Sequence, residues 1–321
     1  TDYPESIQTD EKLKGLSATL MSWSLGGGHN VVRDSLSSRL ASRGMHIYKV
    51  AADEEVLKKF DFVHNISGGR ISSGDVVNFL MRHNFWFLLT FINWFFGSES
   101  DATRQLKTDE FLLALQKRGD ADLVISCFDR YLNAIEKAAD ANGKPILSVA
   151  TDFDPDVNGI ATPADIHNPE FLRAVMVPQE DWLVQKLEEH IGADRIRFAG
   201  LPVRSAFLKE YSAEELAALR AEYEVDPDAQ VVVLVAGGQG VQNGYAKLLA
   251  EHYRKNEHSN GVNSLPKIHL FVVTGKNERQ KNRLDKTFAS FDHPLLKVNI
   301  LGWLEEKSMG GLVALAAQPV G

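Results

Sequence analysis

Short apolar runs alternate along this chain with stretches whose apolar positions recur about every three or four residues. The apolar runs are typical of buried strands, and the intervening stretches have the spacing of helices that cover a sheet. In the first half, strands are predicted at residues 16–23, 47–50, 123–127, 145–151, 174–178 and 196–200. Helices are predicted over residues 31–41 and 131–141. This alternation indicates a parallel sheet with helices on its faces.

The second half of the chain repeats this order after a turn-rich link at residues 225–229. A buried strand at residues 231–236 runs directly into a glycine-rich turn. The glycines of this turn are Gly237, Gly238 and Gly240. Further elements follow as a helix from about Tyr245, a strand at 268–274, a helix from Glu278 and a strand at 298–302. Both halves therefore begin with a strand, a glycine turn and a helix.

The two halves predict an α/β protein of two doubly wound, Rossmann-like domains, over residues 1–205 and 206–321. Ligands of open parallel sheets bind beyond the carboxyl ends of the strands, so two such domains facing each other would enclose a cleft between their glycine turns. The second domain has room for about three strand–helix units, where a doubly wound domain carries about five or six strands. We therefore expect the second domain to be truncated.

The first glycine turn carries an ionisable side chain. Gly26, Gly27 and Gly28 precede His29 between the first strand and the first helix. Glycines allow the backbone to approach a ligand closely, and the helix that follows presents unpaired N–H groups to oxygen atoms or anions. A tight turn without a ligand explains these glycines equally well.

Composition excludes several classes of protein. Hydrophobic residues make up 44% and charged residues 24% of the chain, which is typical of a folded protein rather than a disordered one. The formal charge of -8 argues against a general nucleic-acid binder, which needs a dense basic face. The single cysteine, Cys127, lies in an apolar run and is interpreted as a buried strand residue that forms no internal disulfide. The first residues lack the pattern of a signal peptide.

Residues 76–96 concentrate aromatic and other apolar side chains. Arginine, histidine and asparagine interrupt the run, which argues against a helix that spans a membrane. We interpret it as an interfacial segment, with tryptophan at the depth of lipid headgroups and phenylalanine deeper. The residues expected to contact the membrane are Arg82, Phe85, Trp86, Phe91, Trp94 and Phe95. Burial as a pair of helices in the first domain is the alternative.

A series of short motifs occurs in an order that is specific to one group of enzymes. The motifs lie at residues 21–29, 78–83, 122–126, 151–152, 200–204, 237–240, 275–277 and 302–310. In this order they resemble the glycosyltransferases of the monogalactosyldiacylglycerol synthase and processive diacylglycerol glycosyltransferase family (glycosyltransferase family 28), and more distantly the bacterial enzyme that makes lipid II. The resemblance covers most of the chain and implies a two-domain GT-B fold, with the nucleotide-sugar donor on the C-terminal domain and a lipid acceptor on the N-terminal one.

The resemblance also implies an activity and a location. The enzyme would transfer a hexose from a UDP-sugar to a diacylglycerol-like lipid, with the UDP-sugar as co-substrate and no tightly bound cofactor. It would be a peripheral membrane protein on the cytoplasmic or the organellar stromal side, in contact with the membrane surface and with anionic lipids.

Glycosyl transfer to a hydroxyl group needs a base and a group that stabilises the departing diphosphate. His29 is the candidate base, because imidazole titrates near neutrality, and a histidine that only braces the turn is the alternative. The resemblance puts Arg204 near the donor diphosphate, and an ion pair between the domains is the alternative reading.

The remaining site residues follow from the resemblance. Those assigned to donor binding, besides Arg204, are Gly237, Gly238, Gly240, Trp303 and Leu304. Those assigned to an acceptor or phosphate loop are Gly26, Gly27, Gly28 and Asp152. Trp303 is equally well explained as a core aromatic residue. Asp152 is interpreted as structural or acceptor-side.

No metal site is predicted. Asp152, Asp154 and Asp156 alternate along one segment, but the other ligands of a calcium loop are missing from it. The histidines do not have the spacing of metal ligands.

The chain departs from the family pattern in two places. It has Gln239 where glutamate is usual, and the family's later donor-sugar motif would fall after residue 321. A nucleotide-sugar epimerase or hydrolase of the same architecture, or a non-catalytic lipid- or nucleotide-binding module, are the alternative functions.

Overall fold

A computed structural model provides the structure of the protein. It describes residues 11–23, 28–82, 85, 87–88, 101–118, 121–128, 131–149, 172–176, 184–185, 188–189, 192–198, 202–235, 244–256 and 265–318. The chain forms two compact units. Unit 1 comprises Thr1–Val76 and Thr90–Val203, and unit 2 comprises Val77–Leu89 and Arg204–Gly321. The predicted division at residue 205 differs from this one by two residues and by the placement of residues 77–89.

Unit 1 contains a six-stranded parallel sheet. Its strands are β1 (Ser17–Ser22), β2 (His46–Ala51), β3 (Leu123–Ser126), β4 (Ile146–Val149), β5 (Leu172–Met176) and β6 (Ile196–Phe198). They lie in the order β2-β1-β3-β4-β5-β6, and every neighbouring pair is parallel. Each strand overlaps one that the apolar runs predict. The order puts the carboxyl ends of β1 and β3 side by side.

Six α-helices begin within the described part of residues 11–198. They are α1 (Gly28–Ser42), α2 (Ala52–Glu55), α3 (Phe62–Ile66), α4 (Ser73–Arg82), α5 (Asp101–Lys117) and α6 (Leu132–Ala141). Helix α5 has no counterpart among the predicted elements. Its Leu106 and Leu113 are exposed whereas its Lys107 and Thr108 are buried, so its sequence does not show a clear apolar stripe.

Unit 2 contains a three-stranded parallel sheet in the order β7-β8-β9. Its strands are β7 (Gln230–Val235), β8 (Ile268–Val273) and β9 (Leu296–Leu301), and its helices are α7 (Ala213–Glu222), α8 (Gly244–Asn256), α9 (Glu278–Phe288) and α10 (Glu306–Ala316). All six residues of the central strand β8 are buried. Leu270 belongs to one core cluster and Phe271 to another, as expected for a strand that helices cover on both faces.

Local sequence signals explain where two helices of unit 2 begin. At the start of α7, the Ser212 hydroxyl accepts a hydrogen bond from the Glu215 N–H, and the Glu215 side chain accepts one from the Ser212 N–H. At the start of α9, the Asn277 side chain accepts from the Gln280 N–H. Among the helices that the structure describes, none combines the length and the apolar character needed to cross a lipid bilayer.

Candidate active site

The carboxyl edge of the unit 1 sheet brings His29 against the end of a neighbouring strand. His29 follows β1 at the start of α1, and its Nδ1 lies 3.2 Å from the carbonyl oxygen of Cys127, which directly follows β3. The Cys127 N–H in turn donates to the Met21 carbonyl of β1. Because β1 and β3 are neighbours in the sheet, two residues far apart in sequence meet at this edge.

This contact determines which nitrogen of His29 is basic. A carbonyl oxygen only accepts hydrogen bonds, so a neutral imidazole that makes this contact carries its proton on Nδ1 and its lone pair on Nε2. The imidazole also packs edge-on against the ring of Phe128, with ring centroids 6.3 Å apart. This tautomer is the one a general base needs if it is to accept a proton at Nε2.

Hydrogen bonds among three side chains link the start of α1 to the end of β1. The fully buried Ser22 hydroxyl donates to Asn30 Oδ1 at 2.7 Å and accepts from Arg33 Nη1 at 2.9 Å. Arg33 also pairs with Asp34, whose carboxylate pairs with Lys49. Partial burial acts to raise the pKa of Asp34, but hydrogen bonds from Lys49 and Arg33 outweigh it and hold the pKa below its ordinary value. Neither Asn30 nor Arg33 was predicted to be a site residue, although both follow His29 within four positions.

The glycines of the first turn are only partly described. Gly28 opens α1, and a Cβ atom added there would meet no atom within 4 Å. Nothing in the described part of the protein therefore requires glycine at this position for steric reasons. Gly26 and Gly27 lie outside the described residues, and so does Asp152.

The carboxyl edge of the unit 2 sheet presents a lysine and a tryptophan. Lys276 follows β8 in a turn that begins with Gly275 at a positive φ of 60°, and its Nζ lies 4.8 Å from the ring centroid of Trp303. Trp303 follows β9 and is 50% exposed, so it is not a core residue. Leu304 packs against the buried cluster that includes Leu312. The three glycines Gly237, Gly238 and Gly240 lie outside the described residues.

Arg204 lies at the start of unit 2, directly before the 3-10 turn Ser205–Phe207. Its Nε is 3.9 Å from the Glu306 carboxylate, a partly exposed pair within unit 2. Surface pairs of this kind contribute little to stability, about 0–1 kcal/mol. Helix α10, which begins with Glu306, also approaches this turn closely: a Cβ atom on Gly310 would lie 2.6 Å from the Ala206 carbonyl oxygen.

The described part of the aromatic segment exposes apolar side chains. Phe79 on α4 is 53% exposed, and Phe87 is 71% exposed. Phe85 is also exposed, and its ring contacts that of Phe87. Arg82 ends α4, and its side chain is outside the described part, as are Trp86, Phe91, Trp94 and Phe95.

Among the described residues, no three histidine, cysteine or acidic side chains form a group that could hold a metal ion. Asp152, Asp154 and Asp156 lie outside the described residues, so this finding does not concern them.

Curated relatives support the resemblance stated above. No protein-family model matches the chain. The processive diacylglycerol beta-glucosyltransferase of Staphylococcus saprophyticus is 24% identical over 186 residues, which are 58% of this chain and 42% of that protein. The protein of the same name from Bacillus licheniformis is 25% identical over 127 residues, 39% of this chain and 29% of that protein. The chain therefore spans less than half the length of these relatives, and its predicted resemblance to the diacylglycerol glycosyltransferases is confirmed.

Solved structures support the fold. The structure of HepE from Anabaena with UDP and glucose matches with a TM-score of 0.51 at 11% identity, over 94% of this chain and 72% of that one. The HepE complex with UDP-glucose matches with a TM-score of 0.50 at 11% identity, with the same coverage. At such identity the likeness concerns the fold alone. HepE has a GT-B fold, so the predicted GT-B class of parallel α/β architecture is confirmed.

Proposed function

We propose that this protein is a glycosyltransferase that moves a hexose from a UDP-sugar to a diacylglycerol-like lipid at a membrane surface. The observation that carries the proposal is the contact between His29 Nδ1 and the Cys127 carbonyl at the carboxyl edge of the unit 1 sheet, which in a neutral imidazole puts the lone pair on Nε2. The curated relatives, which are named as processive diacylglycerol beta-glucosyltransferases, support the proposed acceptor class. The HepE complexes, which contain UDP-glucose or UDP, support the proposed donor class.

In the proposed reaction, His29 Nε2 removes the proton from an acceptor hydroxyl group. The hydroxyl oxygen forms a bond to the anomeric carbon, and the bond from that carbon to the diphosphate oxygen breaks. The electron pair of the broken bond stays on the diphosphate, so UDP leaves and the proton remains on His29. Histidine suits this role because its ordinary pKa lies near neutral pH.

The donor side of the proposed site belongs to unit 2. Arg204 would bind the departing diphosphate, exchanging its weak, partly exposed pair with Glu306 for charge-assisted hydrogen bonds to phosphate oxygens. Trp303, half exposed at the sheet edge, and Leu304 would contact the nucleoside. The backbone N–H groups of Gly237, Gly238 and Gly240 would contact the phosphates.

The acceptor side belongs to unit 1. Gly26, Gly27 and Gly28 would allow the acceptor to approach His29 closely, and Asp152 would act on the same side. The aromatic segment, whose residues 77–89 belong to unit 2, would bring the protein to the membrane, since Phe79, Phe85 and Phe87 present apolar surface to solvent. Arg82, Trp86, Phe91, Trp94 and Phe95 would extend this surface to the headgroup level. No cofactor other than the UDP-sugar co-substrate is part of the proposal.

A test replaces His29 with alanine and measures transfer of labelled glucose from UDP-glucose to dioleoylglycerol in mixed micelles. We expect kcat to fall by about 10²- to 10⁴-fold, which is the usual contribution of general base catalysis. The Kd for UDP, measured by calorimetry, should stay within about twofold, because the base does not contact UDP before the reaction. His46→Ala is the matched control, since His46 is exposed at the amino end of β2.

Equal losses in kcat and in UDP affinity would contradict the assignment of His29 as the base. A wild-type protein that hydrolyses or epimerises UDP-sugars but transfers nothing to lipid would contradict the proposed function itself. Binding of lipid vesicles without binding of UDP would instead identify a non-catalytic lipid-binding module.

A further inference from the structure

A buried hydroxyl group links the end of β1 to the first turns of α1. Ser22 is the last residue of β1 and is fully buried. Its Oγ atom lies 2.7 Å from Asn30 Oδ1 and 2.9 Å from Arg33 Nη1. An amide oxygen only accepts hydrogen bonds, and a guanidinium group only donates them. The Ser22 hydroxyl therefore has a fixed direction, because it donates to Asn30 and accepts from Arg33.

Arg33 is itself oriented by charged partners. Its side chain is 15% exposed, and its Nε and Nη2 atoms both lie 3.0 Å from Asp34 Oδ1. The same carboxylate oxygen accepts from Lys49 Nζ at 2.9 Å, and Lys49 lies on β2, the strand that pairs with β1. Asp34 thus takes up one edge of the planar guanidinium group, and Nη1 donates to Ser22.

These contacts lie on either side of His29 along the chain. Asn30 follows His29 directly, and Arg33 lies about one helical turn after it. The N–H groups of the first turn of a helix have no partner within the helix, so side-chain contacts help to fix where that turn lies. The His29 contact is sensitive to this placement, because 3.2 Å between Nδ1 and the Cys127 carbonyl oxygen is at the long end of the hydrogen-bond range. A displacement of a few tenths of an ångström away from Cys127 would lose the hydrogen bond.

Burial alone does not explain the contacts of Ser22. Ser35 is also buried and lies on α1, but its Oγ atom has no hydrogen-bond partner in the part of the chain that the structure describes. Burying a hydroxyl group costs free energy unless a hydrogen bond compensates for it. The two serines therefore form a matched pair, in which one hydroxyl connects two elements and the other does not.

We infer that Ser22 is a positioning residue for the proposed base. Its hydroxyl, oriented by Arg33, holds Asn30 and so keeps His29 where its Nδ1 atom meets the Cys127 carbonyl. This inference rests on the proposed function and adds to it a residue that does not touch the substrate. The tautomer of a neutral His29 then depends on a side chain of the preceding strand.

A kinetic test shows whether Ser22 acts through His29. For Ser22→Ala, we expect kcat for transfer of glucose from UDP-glucose to dioleoylglycerol to fall about tenfold, the value of one hydrogen bond of this kind. The KM for the lipid and the Kd for UDP should stay within about twofold, because a positioning residue binds neither. In the His29→Ala background the same change should lower kcat by less than about twofold, since no base is left to position. Ser35→Ala is the control and should leave kcat unchanged.

A spectroscopic test works without transfer activity. Nitrogen–proton correlation spectra of protein labelled at its histidine nitrogens distinguish an imidazole protonated on Nδ1 from one protonated on Nε2, and His29→Ala identifies the signals of His29. In alkaline buffer, where histidine is ordinarily neutral, the wild type and Ser35→Ala should show His29 protonated on Nδ1. Ser22→Ala should show a mixture of both forms, because the contact with the Cys127 carbonyl is weakened. Asn30→Ala should show the same mixture.

The outcomes separate the inference from the proposed function. An unchanged kcat or an unchanged His29 tautomer in Ser22→Ala would overturn the inference, and so would a loss of kcat that persists in full in the His29→Ala background. Asn30→Ala changes a half-buried side chain and provides the same test if Ser22→Ala does not fold. Absence of transfer to lipid in the wild type would contradict the proposed function alone, and the tautomer spectra would still decide whether Ser22 positions His29.

Discussion

Glu136 is a carboxyl group placed inside the core of unit 1. It lies on α6, is 3% exposed, and its Oε2 atom has no hydrogen-bond partner within the described part of the protein. Burial raises the pKa of Glu136 from 4.5 to about 8, so the folded protein holds a proton there at neutral pH. An unfolded chain, with an ordinary glutamate pKa, releases that proton.

The consequence is a loss of stability as the pH rises. Between the two pKa values the folded state binds more protons than the unfolded state, so the free energy of unfolding falls with pH. The loss approaches 1.4 kcal/mol per pH unit, which gives about 2–3 kcal/mol between about pH 5.5 and about pH 7.5. Glu136→Gln keeps the shape of the side chain but does not titrate. It should therefore abolish this dependence of the free energy of unfolding on pH.

The measurement is a urea titration of unit 1 at both pH values. Cys127 is the only cysteine of the chain and is fully buried in unit 1, so labelling of its thiol reports the unfolding of that unit. The quantity compared is the difference in the free energy of unfolding between wild type and variant at each pH. The contributions of the other titrating groups cancel in this difference. Glu54→Gln, on the exposed side of α2, is the control and should keep the wild-type slope. The same slope in Glu136→Gln as in the wild type would refute the reasoning.

Two further predictions concern unit 2. Gly310→Ala should destabilise that unit by about 2 kcal/mol, because the new Cβ atom would lie 2.6 Å from the Ala206 carbonyl oxygen; chemical denaturation checks this. Gly244→Ala is the control and should leave the stability of unit 2 unchanged, because a Cβ atom there meets no described atom within 4 Å. Equal losses of stability in the two variants would contradict the close approach of Gly310 to Ala206. Phe87→Ser should reduce flotation with phosphatidylglycerol liposomes severalfold, since Phe87 is 71% exposed in the aromatic segment. Leu248→Ser, an exposed apolar change on α8, should leave flotation unchanged, and an equal effect of both variants would argue against a specific membrane surface.

Much of the local structure could be predicted from the sequence. Strand β8 is apolar at every position except His269, and the glycines and helix signals that follow such strands depend on residues only a few positions apart. Helix α5 was not predicted, because its Leu106 and Leu113 are exposed while its Lys107 is buried. This is the reverse of the usual amphipathic pattern, in which a helix buries its apolar side chains and exposes its charged ones. His29 could be named as a candidate base because its motif is local.

Only the tertiary structure decided what surrounds these residues. The sheet order brings β3 beside β1, although about a hundred positions separate them along the chain, and this puts the Cys127 carbonyl on His29 and Phe128 beneath Trp23. The burial of Glu136 and the contact of Lys107 with Tyr131 likewise depend on how α5 and α6 pack together. Hydrophobic periodicity reports which face of an element is buried, but it does not say which element buries that face. The choice of partner depends on the summed packing of distant segments, and that is a property of the folded chain.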